Sequence, residues 1–182
     1  SKSDDLETGG HLLSKDLREE AEASPSPEIR ELATLKGRLP NTAARSWELA
    51  GGIAYVDGPL NVGLSVTRHD ALYGVPIRFS LDPDVEAEAP TIDVKQTRYD
   101  ARAEIPLSGF FHQIRARGGY AEYRHHEIED TGEIASTFNT KGGEGRLELV
   151  QGDRSGWGGT SGVQYLNRKV FIVGEEKFLP ES

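Results

Sequence analysis

The chain has 182 residues, enough for one domain with a sizeable core. Its 30 acidic and 21 basic residues give a formal charge of −9, which disfavours nucleic acid as a partner because phosphate binding requires a basic face. No run of about 20 apolar residues predicts a transmembrane helix. Cysteine is absent, which excludes disulfides and thiolate metal sites.

Residues 1–45 are polar and irregular, and two short helices are predicted within them. Ser14 is a favourable N-cap for a helix that ends at Glu22. Pro27 suits the first turn of a second helix that ends at Leu35. The composition of the rest indicates a long solvated loop.

From Ser46 onward the hydrophobic pattern has a period of two, which is typical of strands. Six strands are predicted to form one antiparallel meander: 46–56, 60–68, 94–107, 111–124, 143–151 and 159–170. Tight turns are predicted at one end of the sheet, around residues 57–58, 108–109 and 152–156. Longer polar loops are predicted at the other end. This alternation is typical of membrane-spanning β-barrels, so the predicted fold is all-β, part of a large transmembrane barrel.

The first turn predicts a strand register with matched apolar faces. A two-residue turn at 57–58 places Tyr55 near Leu60. Pro59 has no N–H to donate to a ladder, so this turn is open to widening by one residue on each side.

The second turn predicts a register for the charged face. A two-residue turn at 108–109 places Asp100 opposite Arg117 and Arg102 opposite Arg115. Asp100 and Glu104 would then relieve the repulsion between the two arginines diagonally.

The apolar face has properties that favour lipid over a protein core. It includes many Ala and Gly residues, yet aromatic residues lie near its ends. From Trp47 to Tyr55 the strand covers roughly 26 Å, or about 20 Å of height at a tilt near 40°. This is close to the ~25 Å apolar band of outer-membrane barrels. The alternative is a one-sided antiparallel sheet with a solvated polar face.

A series of segments resembles, in order and spacing, the barrel of TonB-dependent outer-membrane receptors, in the branch that contains zinc-uptake receptors. These segments lie at residues 72–76, 119–129, 145–149, 162–165 and 174–180. The resemblance covers about residues 36–182. It implies an outer-membrane location in a Gram-negative bacterium, contact with the lipid bilayer, and active uptake of a scarce solute. It also implies energy coupling to the TonB complex through a plug domain.

The sequence departs from that family in what it lacks. A TonB box, a plug domain and a closing strand with a terminal aromatic are all absent from it. The resemblance therefore implies a piece of a longer protein. Residues 1–45 would be a long extracellular loop, and residues 46–182 an internal barrel segment of about six strands whose outer edges stay open.

His125, His126 and Glu127 are the most ligand-like cluster, at the predicted outer end of a strand. Imidazole and carboxylate groups suit zinc. Because adjacent side chains of a strand point to opposite faces, His125 and Glu127 are the predicted zinc ligands and His126 the weakest of the three. The alternative is a polar strand end. His69 and Asp70 repeat the pattern more weakly.

The other polar residues are weaker indications of function. Four scattered arginines are candidates for contact with an anionic solute: Arg38, Arg45, Arg68 and Arg78. No nucleophile elbow or Cys/His pair is present, so we do not expect an enzyme, and no cofactor is required. For the solute, a metal ion or chelate ranks before an oligosaccharide or peptide. Two other functions stay open: a barrel that anchors partner-binding surface loops, and a soluble secreted β-sandwich binding module.

Overall fold

The computed structural model describes residues 1–77, 79–85, 89–152, 156 and 158–174. Its elements in chain order are β1 (Lys2–Ser3), β2 (Glu7–His11), α1 (Lys15–Glu22), α2 (Pro27–Thr34), β3 (Lys36–Arg38), β4 (Ala44–Asp57), β5 (Leu60–Gly74), β6 (Thr91–Pro106), β7 (Phe111–Ile128), β8 (Ile134–Gln151) and β9 (Thr160–Gly174).

The main sheet has seven strands in the order β1-β4-β5-β6-β7-β8-β9, and all its pairings are antiparallel. The predicted all-β meander is therefore confirmed, because each of the six long strands pairs with its neighbours along the chain. The sheet is open rather than closed on itself. Strands β2 and β3 form a separate two-stranded sheet.

The first hairpin turns at Gly58 and Pro59, one residue later than predicted. Asp57 lies opposite Leu60, so Tyr55 lies opposite Val62 rather than Leu60. Gly58 has a φ of 55°, which a glycine adopts without strain. Pro59 lies in the turn, where no ladder N–H is needed. The register prediction was thus wrong by two residues, a shift that leaves the apolar faces matched.

The second hairpin also differs from the predicted register by two residues. Arg102 lies opposite Arg117, and Asp100 lies opposite Gly119, so the predicted pairs Asp100–Arg117 and Arg102–Arg115 are wrong. The N–H of Leu107 donates to the carbonyl of His112 at 2.8 Å, which leaves four residues in the turn instead of two. The ring centroids of the two phenylalanines in this turn lie 5.0 Å apart, edge to face.

The strands are longer than predicted at the opposite end of the sheet. β7 ends at Ile128 and β8 begins at Ile134, where a long loop was expected. The N–H of Glu129 donates to the carbonyl of Glu133 at 2.9 Å, which closes a short connection. Loop lengths therefore alternate less regularly than predicted. The third predicted turn, at 152–156, lies partly outside the described residues, while Leu147 and Val163 beside it are directly opposed.

The N-terminal region contains more structure than a solvated loop. Ser14 and Ser26 cap α1 and α2, with each hydroxyl accepting from a backbone N–H of the first turn, so both predicted helices are confirmed. A small buried cluster joins the helices: Leu13, Ala21, Ile29, Leu32 and Ala33. Neither helix is long and apolar enough to cross a bilayer.

The same region is tied to the upper end of the sheet, the end away from the tight turns. Asp5 accepts hydrogen bonds from the N–H groups of Thr42 and Ala43, each at 2.8 Å. Asn41, in the left-handed region at a φ of 55°, donates its amide to three backbone carbonyls at the two ends of the β5–β6 loop. These bonds hold the chain before β4 against that loop.

Candidate functional site

One face of the main sheet is apolar across all six long strands in its part nearer the tight turns. Residues directly opposed on adjacent strands form rows, and two consecutive rows carry almost no polar side chain. The first row is Tyr55, Val62, Ala103, Ala116, Leu147 and Val163. The second row is Ile53, Leu64, Ala101, Gly118, Gly145 and Tyr165. We call the exposed apolar side chains in and around these rows the apolar belt.

The belt is exposed rather than packed. Leu64, near its centre, is 59 % exposed, and Ile53 on the neighbouring strand is 76 % exposed. The other members with exposed side chains are Leu49, Tyr55, Val62, Val66, Tyr99, Ile105, Tyr120, Leu147, Val163 and Tyr165. Scattered apolar residues are normal on protein surfaces, whereas a contiguous patch of this extent marks an interaction surface.

The upper border of the belt combines aromatic and charged side chains. Tyr99 and Tyr120 lie opposite each other on β6 and β7. The hydroxyl of Tyr120 donates to Glu122 at 3.1 Å, and Lys141 contacts the same carboxylate at 2.9 Å. An aromatic body on the apolar side with a hydrogen-bonded polar tip is the arrangement found at a boundary between an apolar and an aqueous phase.

The opposite face carries charged residues in layers, and we call it the polar face. Along the strands an acidic row is followed by a basic row. Asp100 and Glu144 belong to the acidic row, and Arg102, Arg117 and Arg146 form the next. These residues line a hollow of about 770 Å³ on this face.

Arg98 forms ion pairs with both carboxylates of the acidic row. Its guanidinium lies 2.8 Å from Asp100 and 3.5 Å from Glu144, so it spans from β6 to β8. Gly119 lies on β7 between them, and a Cβ at this position would sit 3.2 Å from Oδ1 of Asp100. The absence of a side chain at Gly119 therefore leaves room for this charge cluster.

The predicted metal ligands lie at the upper end of β7. His125 and Tyr123 share a hydrogen bond of 3.0 Å, and the His125 ring stacks on Phe138 with centroids 4.3 Å apart. His126 lies on the other face, with Nδ1 2.8 Å from the hydroxyl of Thr137, as the period of two predicts. Glu127 shares the face of His125, next to a register shift.

The surroundings of His125 make its imidazole a weak base. Burial, and secondarily the nearby His126, lower the pKa of His125 below its usual value. Within residues 1–77, 79–85, 89–152, 156 and 158–174, no group of three His, Asp or Glu side chains is placed to hold a metal ion. The zinc assignment for His125 and Glu127 stays a prediction, since further ligands would have to come from elsewhere.

The weaker candidates are separated by the fold. His69 lies 3.7 Å from Glu48 on the polar face, whereas Asp70 lies on the other face, 3.9 Å from Arg68. The arginines proposed as contacts for an anionic solute lie on different strands. Arg38 is in β3, Arg45 in β4 and Arg68 in β5, while Arg78 lies outside the described residues.

The row of Arg102, Arg117 and Arg146 was missed because the predicted register was wrong. A two-residue turn set Arg117 against Asp100 and Arg102 against Arg115, whereas the four-residue turn sets Arg102 against Arg117. The sequence carries no local signal for the four-residue turn that brings Arg102 opposite Arg117.

Comparison with protein-family models gives no match. Comparison with curated proteins finds no significantly similar sequence.

Proposed function

We propose that this sheet is an internal segment of an outer-membrane transport barrel of the TonB-dependent receptor type. The apolar belt would face lipid, and the polar face would line the lumen. The observation that carries the proposal is the exposed apolar belt, which continues across six strands and is bordered by tyrosines.

Lipid explains this belt better than water does. In a soluble sandwich the apolar face of a sheet is covered by a second sheet about 10 Å away. Leu64 and Ile53 remain exposed in the described part of the chain, and the two helices pack on each other. The small size of many belt residues also favours lipid. Ala and Gly positions in the central rows are too small to fill a dense interior.

The polar face suits a water-filled lumen. Alternating basic and acidic rows satisfy each other partly, through pairs such as Arg98 with Asp100 and Arg146 with Glu148, while staying solvated. In lipid, every backbone N–H and C=O needs a partner, so the proposal requires that both edges of the sheet pair with further strands. These strands would come from the rest of the barrel or, when the chain is inserted alone, from other copies of it.

The proposed transport cycle follows from the family that the sequence resembles. A scarce solute would bind at the outer mouth, a plug domain would respond, and the TonB complex would supply energy. The second candidate, a barrel that anchors partner-binding loops, is favoured by the ordered upper end, where Asn41 fixes the β5–β6 loop. A plug domain and TonB box in the longer reading frame would support the receptor, and their absence would support the anchor.

Vesicle flotation tests the membrane assignment. The full chain is refolded in detergent, mixed with phosphocholine vesicles and centrifuged through a density gradient. We expect wild type to float with the vesicles. The double variant Leu64→Asn/Val163→Asn should float less, because it removes two belt side chains. The control Ser65→Asn/Gln164→Asn changes the adjacent polar-face positions and should float like wild type. A chain that stays soluble and monomeric without detergent and does not float would contradict the proposal.

A further inference from the structure

The polar face contains a row of three arginines on adjacent strands. Arg102 on β6 lies directly opposite Arg117 on β7, which lies directly opposite Arg146 on β8. Like charges directly opposed across a ladder are destabilising. Arg146 is paired with Glu148. Among the described residues, neither Arg102 nor Arg117 has a side-chain hydrogen bond or ion pair. Two adjacent guanidinium groups therefore face the hollow uncompensated.

The hollow has room for a ligand beside these groups. In the same row, β4 and β5 contribute Ala54 and Gly63, and the next row adds Gly52 and Ser65. A Cβ at Gly63 would lie 3.7 Å from Nε of Arg102, so the glycine opens space next to the guanidinium. The volume of about 770 Å³ falls within the range of small-molecule sites, roughly 300–1,000 Å³.

The charge of the hollow is opposite in sign to that of the chain. Five arginines line it (Arg98, Arg102, Arg115, Arg117 and Arg146) against three acids (Asp100, Glu104 and Glu144), and five minus three gives +2. The whole chain has a formal charge of −9. A local excess of positive charge in an acidic protein concentrates anions at that place.

We propose that Arg102 and Arg117 bind the oxyanion group, carboxylate or phosphate, of a small organic solute, whose remaining atoms lie over the small residues of β4 and β5. A guanidinium binds such groups through two parallel N–H···O bonds, and two adjacent guanidiniums can share one oxyanion. This inference rests on the proposed function, because it takes the polar face to line a transport path. It adds the chemical class of the solute. An anionic metal chelate belongs to that class.

The test measures binding of two anions to the full chain in detergent micelles, by calorimetric titration and by the Nε–H signals of ¹⁵N-labelled arginine. Citrate is the carboxylate probe and inorganic pyrophosphate the phosphate probe, so the two titrations distinguish the sources of the oxyanion. Arg102→Gln and Arg117→Gln should each weaken the preferred probe at least tenfold, and the double variant should abolish saturable binding.

The matched control is Arg124→Gln. It removes one positive charge from the other face of β7, and Arg124 itself forms no ion pair among the described residues. We expect its affinity to remain within twofold of wild type. If Arg102→Gln and Arg117→Gln behave like this control, or if wild type binds neither probe saturably, the proposal is overturned.

Thermal melting separates binding from folding. Without probe, the double variant should melt at or above the wild-type temperature, because it removes opposed like charges. With probe, only wild type and Arg124→Gln should shift upward, since a ligand that binds the native state stabilises it. A double variant that melts well below wild type would make the arginines structural and overturn the proposal. Failure of wild type to float with vesicles would contradict the membrane assignment, while leaving the micellar titration readable.

Discussion

Leu64→Arg places a charge near the centre of the apolar belt and separates lipid from water by the size of its effect. Leu64 lies between Ile53 and Ala101 in its row and is 59 % exposed. On a water-facing surface such a substitution changes the free energy of unfolding by at most about 0.5 kcal/mol. At the midplane of a bilayer, arginine on the lipid face of a strand costs about 2–4 kcal/mol. That is roughly a 30- to 700-fold change in the folding equilibrium.

The assay is urea unfolding of the chain in phosphocholine vesicles, followed by tryptophan fluorescence and extrapolated linearly to zero urea. The matched control is Ser65→Arg, one residue along the same strand on the polar face, beside Asp100. We expect the control to remain within about 0.5 kcal/mol of wild type. If the two arginine variants lose stability equally, the belt does not face lipid and the reasoning fails.

Three further outcomes follow from local geometry. Asn41→Ala removes the hydrogen bonds that the side-chain amide donates to the β5–β6 loop and should lower the free energy of unfolding by about 1–3 kcal/mol in urea titration. Asn41→Asp keeps the side-chain size but has no N–H to donate to these carbonyls, so it should lower the free energy of unfolding at least as much as alanine. Gly52→Val should lower the free energy of unfolding by about 1–3 kcal/mol, because its Cβ would meet a backbone carbonyl at 2.9 Å. Gly51→Val is the control and should be tolerated, because the space around this position is open. Equal melting temperatures of the two variants would contradict this prediction. Calorimetric zinc titration of His125→Ala and Glu127→Ala should show weaker zinc binding than wild type. Unchanged zinc affinity in both variants would contradict the zinc site and favour an organic ligand as the solute.

The strand pattern was predictable because side-chain direction has a period of two. The apolar and polar faces follow from alternation alone, and every two-residue error in register preserved them. The helix at Ser14 and the helix at Pro27 were equally readable, since each begins with a capping hydroxyl or a proline in its first turn.

The register itself was not predictable from the turn residues. Ser108-Gly109 is compatible with a two-residue turn, but the chain forms a four-residue turn, and that choice decides which charges are opposed. The arginine row therefore emerged only from the structure. The bonds of Asn41 to a loop far along the chain had no local signal, because they depend on how the upper end of the sheet is assembled.

The most direct test of the membrane assignment is a cysteine scan along β5. The chain has no cysteine, so each variant carries a single fluorescent label. In vesicles, we predict that labels at Val62, Leu64 and Val66 are quenched by bromine atoms on the lipid chains, while labels at Ser65 and Thr67 are quenched by aqueous iodide. An alternation of period two between the quenchers is the predicted result. Labels at Leu64 and Ser65 with the same response to both quenchers would contradict the account.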